Sequence, residues 1–300
     1  MTFTPELQSL NDRFAHVPEL AFRQGPGGLT VAEIATRHAQ ASIALQGGHV
    51  LAFQPSGQRP VLWVSRQSQY AAGTPIRGGI PVCWPWFGPH PIDTGKPAHG
   101  FARTSSWSVL DAAGGDTPRL RLGLTDTAAT RSLWPHAFQL ELTVSVGAQL
   151  EVELTIRNPG SEAFTCTDAL HSYFAVSDIA TSSVDGLNGC VYLDKVAGYE
   201  RREQSGPIAV TGETDRIYVD TVTDCVIEDA GWKRAVRVAK RGSRTTVVWN
   251  PWTDRARQLA DFGDDEYHEM VCVETANAGD DRITVQPLGT HRLAAILSVD

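Results

Sequence analysis

From about residue 29 onward, apolar and polar positions alternate with a period of two. Segments 29–34, 38–45, 49–53, 61–64, 107–110, 120–124, 138–146 and 150–156 alternate or run apolar, with Gly, Pro, Asn or Asp between them. The second half continues with 164–176, 217–219, 235–239, 245–249, 270–274, 283–285 and 291–299. Each segment predicts a strand. Helical spacing is confined to a turn or two near 253–262 and to the start of the chain. There Thr4 suits a cap, Pro5 suits the first helical position, and Leu7, Leu10 and Phe14 share a face. This N-terminal helix is expected to pack on the main body as a lid.

Doubly wound and TIM-type folds place a long helix between successive strands, and the intervals here are too short or too rich in Gly and Pro. The pattern therefore predicts an all-β fold, a large antiparallel β-sandwich with few short helices. No Pro-, Ser- or charge-rich linker interrupts the 300 residues. A single domain over 1–300 is expected, with 1–28 as N-terminal helix and lead-in.

Composition adds mostly exclusions. A content of 42% hydrophobic and 20% charged residues is that of a globular chain rather than a disordered one. With 26 Lys and Arg against 34 Asp and Glu, the net charge of -8 leaves little to attract nucleic acid or an anionic membrane. An anionic ligand would have to be met by local arginines. No apolar run approaches the roughly 20 residues that cross a bilayer, and the opening MTFTPELQSLNDRF has no signal-peptide pattern. A cytoplasmic protein is expected, with no nucleic-acid or membrane partner. Five scattered cysteines without a C-x-x-C pair read as reduced, mostly buried thiols rather than disulfides or a zinc site. No phosphate-binding or dinucleotide glycine motif is present.

Four segments could carry chemistry. Residues 75–90, PIRGGIPVCWPWFGPH, form a proline-fixed aromatic loop in which Gly78 and Gly79 allow close backbone approach beside Arg77. An irregular crossover whose Trp84, Trp86 and Phe87 fill the core accounts for it equally well. In AHGFAR, His99 and Arg103 offer donors to a sugar hydroxyl or a phosphate. A carbonyl-bonded loop histidine and a solvated arginine are the plainer alternative. On a strand, His171 would share a face with Ala169 and Tyr173, either walling a polar cleft or satisfied within the core. Glu274 lies in the apolar run MVCVETAN, where a buried, unpaired carboxylate costs several kcal/mol. It should therefore face a cleft or a partner, unless the strand ends in solvent there. Asp215 reads as a turn carboxylate.

These segments are joined by a resemblance. LWVS (62–65), RGGIP (77–81), FG (87–88), HGFAR (99–103), ALHSYF (169–174), GLNG (186–189), YLDK (192–195), TDRIY (214–218), WNPW (249–252) and VCVE (271–274) follow one another as in the hexose-6-phosphate mutarotases. These form the glucose-6-phosphate 1-epimerase branch of the aldose 1-epimerase superfamily. The resemblance implies a galactose-mutarotase-like supersandwich with a sugar phosphate bound in a groove on one sheet. It further implies His171 as general acid, Glu274 as general base, His99 and Asp215 as holders of sugar hydroxyls, and Arg77 and Arg103 as residues of the phosphorylated-sugar branch. Trp86 departs from the pattern, which has Gln in the Pro-x-Phe-Gly phrase.

Interconverting pyranose anomers requires one proton delivered to the ring oxygen and one removed from the C1 hydroxyl, for which an imidazolium and a carboxylate suffice. The chemistry the resemblance implies therefore requires neither cofactor nor metal, which agrees with the absence of a phosphate-binding or dinucleotide glycine motif. Three other readings use parts of the same residue set. An aldose 1-epimerase acting on unphosphorylated hexoses needs the acid and base without the arginines. A carbohydrate-binding protein on the same fold needs neither acid nor base. A glycosidase needs a second carboxylate beside Glu274. Oligomeric state is not legible in the sequence.

Overall fold

The computed structural model describes residues 5–300. Two large sheets dominate it. A nine-stranded sheet runs in the order Ile208–Ala209, Ser182–Asp185, Cys225–Asp229, Arg234–Arg241, Thr290–Val299, Leu150–Arg157, Gln139–Val146, Arg119–Thr125, Ser108–Ala113. An eight-stranded sheet runs Glu200–Glu203, Val191–Asp194, Thr214–Tyr218, Thr245–Asn250, Met270–Asn277, Asp168–Leu170, Val82–Cys83, with Tyr173–Ala175 also paired to Met270–Asn277. A four-stranded sheet (Leu20–Gln24, Thr30–Ala35, Ala39–Ala44, His49–Pro55) and the pair Phe164–Cys166 with Ile283–Val285 complete the antiparallel set. The expected all-β sandwich with few short helices is what the chain forms.

Alternation creates the core. In Gln139–Val146 and Leu150–Arg157, Leu140, Leu142, Val144, Val146, Leu150, Val152, Leu154 and Ile156 are all buried, while the residues between them are partly or fully exposed. Each such side chain contributes about 1.5–3 kcal/mol by leaving water. Strands Met270–Asn277 and Asp168–Leu170 lie against Thr290–Val299, so one face of the eight-stranded sheet closes this core. Its other face is free to carry a site.

Several expectations need correction. Residues 61–64 form only isolated bridges, Leu62 to Phe174 and Val64 to Gly78. Segment 164–176 is three short strands rather than one, broken at Thr167 and again at His171 and Ser172, where Ser172 N–H turns back to Leu170 O at 2.9 Å. Asp215 lies inside the strand Thr214–Tyr218, not in a turn. The glycines beside Arg77 serve packing rather than a ligand. At Gly78 (φ 116°) a Cβ would meet Val64 Cα at 2.4 Å, and at Gly79 (φ 61°) it would meet Val50 O at 2.2 Å.

The helix Pro5–Arg13 buries Leu7 and is followed by buried Phe14, while Asn11 bonds both backbone groups of Phe22 and Arg13 reaches the carbonyls of Val109 and Leu110. Thr4, read as its cap, lies outside the described residues. The helix packs on the main body, but none of its residues lines the cavity described below. A further short helix, Ala128–Leu133, gave no apolar periodicity; it is fixed by a reciprocal capping box between Thr127 and Thr130. The turn foreseen near 253 is the helix Trp252–Ala256.

Candidate active site

Strand register assembles the site floor. Residues directly opposite one another on neighbouring strands share a face. Tyr173 opposes Cys272, Cys272 opposes Trp249, Trp249 opposes Asp215, and Val247 opposes Glu274. These side chains therefore stand on the open face of the eight-stranded sheet. Above them is a cavity of about 290 Å³, and Arg77, His99, Arg103, His171, Asp215 and Glu274 all line it. Phe87, Tyr173, Lys195, Trp249 and Arg255 complete much of the wall.

At its centre, His171 Nε2 stands 3.4 Å from Glu274 Oε1. Glu274 lies mid-strand and only 1% exposed, so it is not a strand end opening to solvent. Its second oxygen, Oε2, is buried with no hydrogen-bond partner. The His171 ring stacks on Tyr173 at 4.8 Å and 9°, with its main-chain N–H bonded to Pro81 O. His171 and Ser172 lie in the gap between the strands Asp168–Leu170 and Tyr173–Ala175.

The cationic wall is unevenly committed. Arg77 donates through Nε and Nη2 to both oxygens of Asp261 (3.2 and 3.1 Å) and through Nη1 to the Tyr173 hydroxyl (3.1 Å). Arg103 makes a single hydrogen bond, from Nη2 to Ala98 O, and its buried Nε has none. Lys195 Nζ pairs with Asp215 at 2.6 Å. His99 adopts φ 63°, its N–H bonds Gly88 O, and its Nδ1 accepts from Gly88 N–H at 3.3 Å, which locks the two aromatic loops together. Trp86 is buried, donates to Pro97 O and does not line the cavity.

Burial acts on the central pair in opposite senses. It pushes the Glu274 carboxyl well above the usual range, with Asp215 adding to the shift and Lys195 opposing it. It pushes the His171 imidazole well below its usual value, with Arg103 and then Arg77 adding to the effect. Both directions favour the uncharged forms. In either charge state the two groups hold one proton and one vacancy between them. His99 is likewise held neutral by burial and then Arg103, whereas burial raises Asp215 against the opposing pull of Lys195.

Sequence reasoning missed Asp261, and it did not single out Lys195 although the YLDK phrase contains it. Asp261 had no signal, because its partnership with Arg77 spans 184 residues. A buried clasp brings it there: Glu266 accepts from the Ser65 hydroxyl, Arg66 N–H and Gly263 N–H at 2.5, 2.8 and 2.8 Å. Next to Asp261, Phe262 packs on Trp63, which in turn stacks on Tyr173.

The sequence pattern of the aldose 1-epimerase family matches residues 30–297, and the chain belongs to that family. Among its relatives, a protein of Escherichia coli K12, provisionally named glucose-6-phosphate 1-epimerase, is 38% identical over 259 residues, 86% of each chain. A protein of Cenchrus ciliaris with the same provisional name is 36% identical over 84% of this chain and 78% of its own. The crystal structure of a provisionally named mutarotase (YeaD) from Salmonella typhimurium superposes with a TM-score of 0.87 at 35% identity, covering 97% of this chain and 99% of that one. Among the described residues, no helix is long and apolar enough to cross a membrane.

Proposed function

We propose that this enzyme is a hexose-6-phosphate mutarotase, interconverting the α and β anomers of a C6-phosphorylated aldose such as glucose 6-phosphate. The observation that carries the reading is the 3.4 Å approach of His171 and Glu274 in a cavity also lined by Arg77 and Arg103. The ring oxygen O5 and the hydroxyl oxygen O1 share carbon C1, so a proton donor and a proton acceptor serving both must stand side by side. The relatives' names support the phosphorylated substrate.

In this reading His171 donates to O5 while Glu274 accepts the O1 proton. The C1–O5 bond breaks, C1 and O1 become an aldehyde, rotation about C1–C2 exposes the other face, and reclosure returns both protons. Burial favours the uncharged forms of both groups, and the ligand shifts the pair toward its working charges. A phosphate dianion beside Arg77 and Arg103 offsets the positive field that, after burial, depresses His171. Lys195 acts on Glu274 in favour of the carboxylate. Arg103, the less committed guanidinium, is the primary phosphate anchor. His99 and Asp215 hold sugar hydroxyls.

The test is the rate at which α-glucose 6-phosphate becomes available to a β-specific dehydrogenase, with glucose as control substrate. Acceleration with the phosphate, weaker with glucose and lost in Glu274→Gln, is expected. Acceleration with glucose alone would move the enzyme to the unphosphorylated class.

A further inference from the structure

Beneath the central pair lies a third donor that anomerisation does not use. The ligating atoms of His171, Cys272 and Glu274 all fall within 4.8 Å of one another, and all three residues are buried. Cys272 and Glu274 stand two residues apart on Met270–Asn277, so they project from the same face. The 3.4 Å between His171 Nε2 and Glu274 Oε1 is long for a hydrogen bond. It is close to the roughly 3.3 Å between two ligands on one tetrahedral zinc with bonds of about 2.0–2.1 Å. Glu274 Oε2 is a desolvated acceptor without a partner, an uncompensated cost that a cation would relieve.

The chemistry of the set is selective. Imidazole, thiolate and carboxylate together suit zinc and exclude magnesium or calcium, which take oxygen ligands. A divalent ion with one thiolate, one carboxylate and one neutral imidazole is a neutral complex, the form that a buried position tolerates. His171 and Glu274 line the cavity and Cys272 does not, so the ion enters from the cavity and Cys272 completes the set from below. Three protein ligands leave the fourth position facing the space the sugar would fill.

We propose that His171, Cys272 and Glu274 form a binding site for zinc or another thiophilic divalent cation, and that the bound ion excludes the sugar from its acid–base pair. Binding releases the Cys272 thiol proton and the Glu274 carboxyl proton to solvent and changes no oxidation state. The blocking half of the proposal rests on the mutarotase reading; the binding half does not.

The experiment uses the full chain freed of metal by chelator, titrated with zinc against a chromogenic chelator and, separately, with cobalt. One zinc per chain is expected, with a cobalt–thiolate charge-transfer band in the near ultraviolet. Glucose 6-phosphate should weaken zinc binding. Loss of an outer partner already costs about 10- to 100-fold in metal affinity, so Cys272→Ser should weaken zinc by at least about 100-fold. Measured against its own rate in chelator, the same variant should lose its inhibition by zinc. Cys272→Ala repeats the test should serine disturb this apolar position. Zinc affinity unchanged in both variants, or cobalt binding without a thiolate band, would overturn the site and assign the metal to other side chains. If chelator-treated wild type fails to mutarotate but binds zinc through Cys272, the site stands and the functional reading falls.

Discussion

In the nine-stranded sheet, Gln139–Val146 and Leu150–Arg157 bury every second residue and leave Glu141, Glu151 and Glu153 on the outer face, where Glu141 pairs with Arg121 at 2.7 Å. In the eight-stranded sheet, Met270–Asn277 is buried along its whole length yet carries Glu274, Thr275 and Asn277. The first arrangement gains stability from each inward side chain and places its charges in water. The second keeps polar groups out of water and leaves Glu274 Oε2, Asp168 Oδ2 and Asn277 Oδ1 without partners. A strand that bears such costs is the place to look for chemistry. The contrast predicts opposite responses to substitution in the two sheets.

The largest separation of activity from stability is expected at the central pair. Glu274→Gln should lower mutarotation by about 10²- to 10⁴-fold, the usual contribution of a positioned acid or base. Its melting temperature should stay level or rise, because a neutral amide replaces a buried ionisable carboxyl whose Oε2 has no partner. A variant that keeps near-normal turnover would remove Glu274 from the chemistry. In the other sheet, Leu154→Ala should cost about 2–5 kcal/mol in urea unfolding through the cavity left behind. Turnover per folded molecule should be unchanged. Loss of turnover without loss of stability there would erase the distinction between scaffold and site sheets.

The same contrast explains what the sequence could reveal. Alternation over 139–146 and 150–156 makes the scaffold hairpin readable, because one-sided burial writes itself into every second residue. Glu274 was conspicuous because its neighbours Val271, Cys272 and Val273 are apolar. The strands Ser182–Asp185, Val191–Asp194, Glu200–Glu203 and Cys225–Asp229 were missed, since they are short and the third of them is exposed throughout. Asp261 was illegible for another reason. A carboxylate that acts through a partner far away in the chain leaves no local pattern, and only packing of Phe262 and the Glu266 clasp brings it to Arg77.

Asp168 offers a test of what the site sheet pays in buried polar groups. One oxygen accepts from Asn277 Nδ2 at 2.8 Å, the other has no partner, and burial pushes its pKa up to about 7. The folded chain therefore binds this proton between about pH 4 and 7 while the unfolded chain has released it. The associated stability is fully present below the unfolded carboxylate value and is lost as pH rises through about 7. Asp168→Asn keeps the acceptor for Asn277 Nδ2 and removes the ionisable group. It should stabilise the protein above pH 7, by linkage at most about 4 kcal/mol, with little change near pH 4. Urea midpoints at pH 4.5 and 8 measure the difference, and an equal shift at both would show that ionisation of Asp168 is not the source.

The finest distinction concerns Arg77: were it a simple phosphate anchor, its loss would raise KM more than it lowers kcat. In the fold its guanidinium is held by Asp261 and itself holds the hydroxyl of Tyr173, the ring on which His171 stacks. Asp261 is therefore a positioning residue for His171, acting through two intermediaries. Asp261→Asn keeps one acceptor for Arg77 and removes the neutralising charge, so phosphate attraction is retained while the stack loosens. We expect kcat to fall by about tenfold with a smaller change in KM for glucose 6-phosphate, the pattern of an interaction made in the transition state. Tyr173→Phe breaks the same chain one step closer, and the double variant should lose little more than either single one. A rise in KM alone, or fully additive losses, would return Arg77 to the role of anchor and leave the Tyr173 stack as packing.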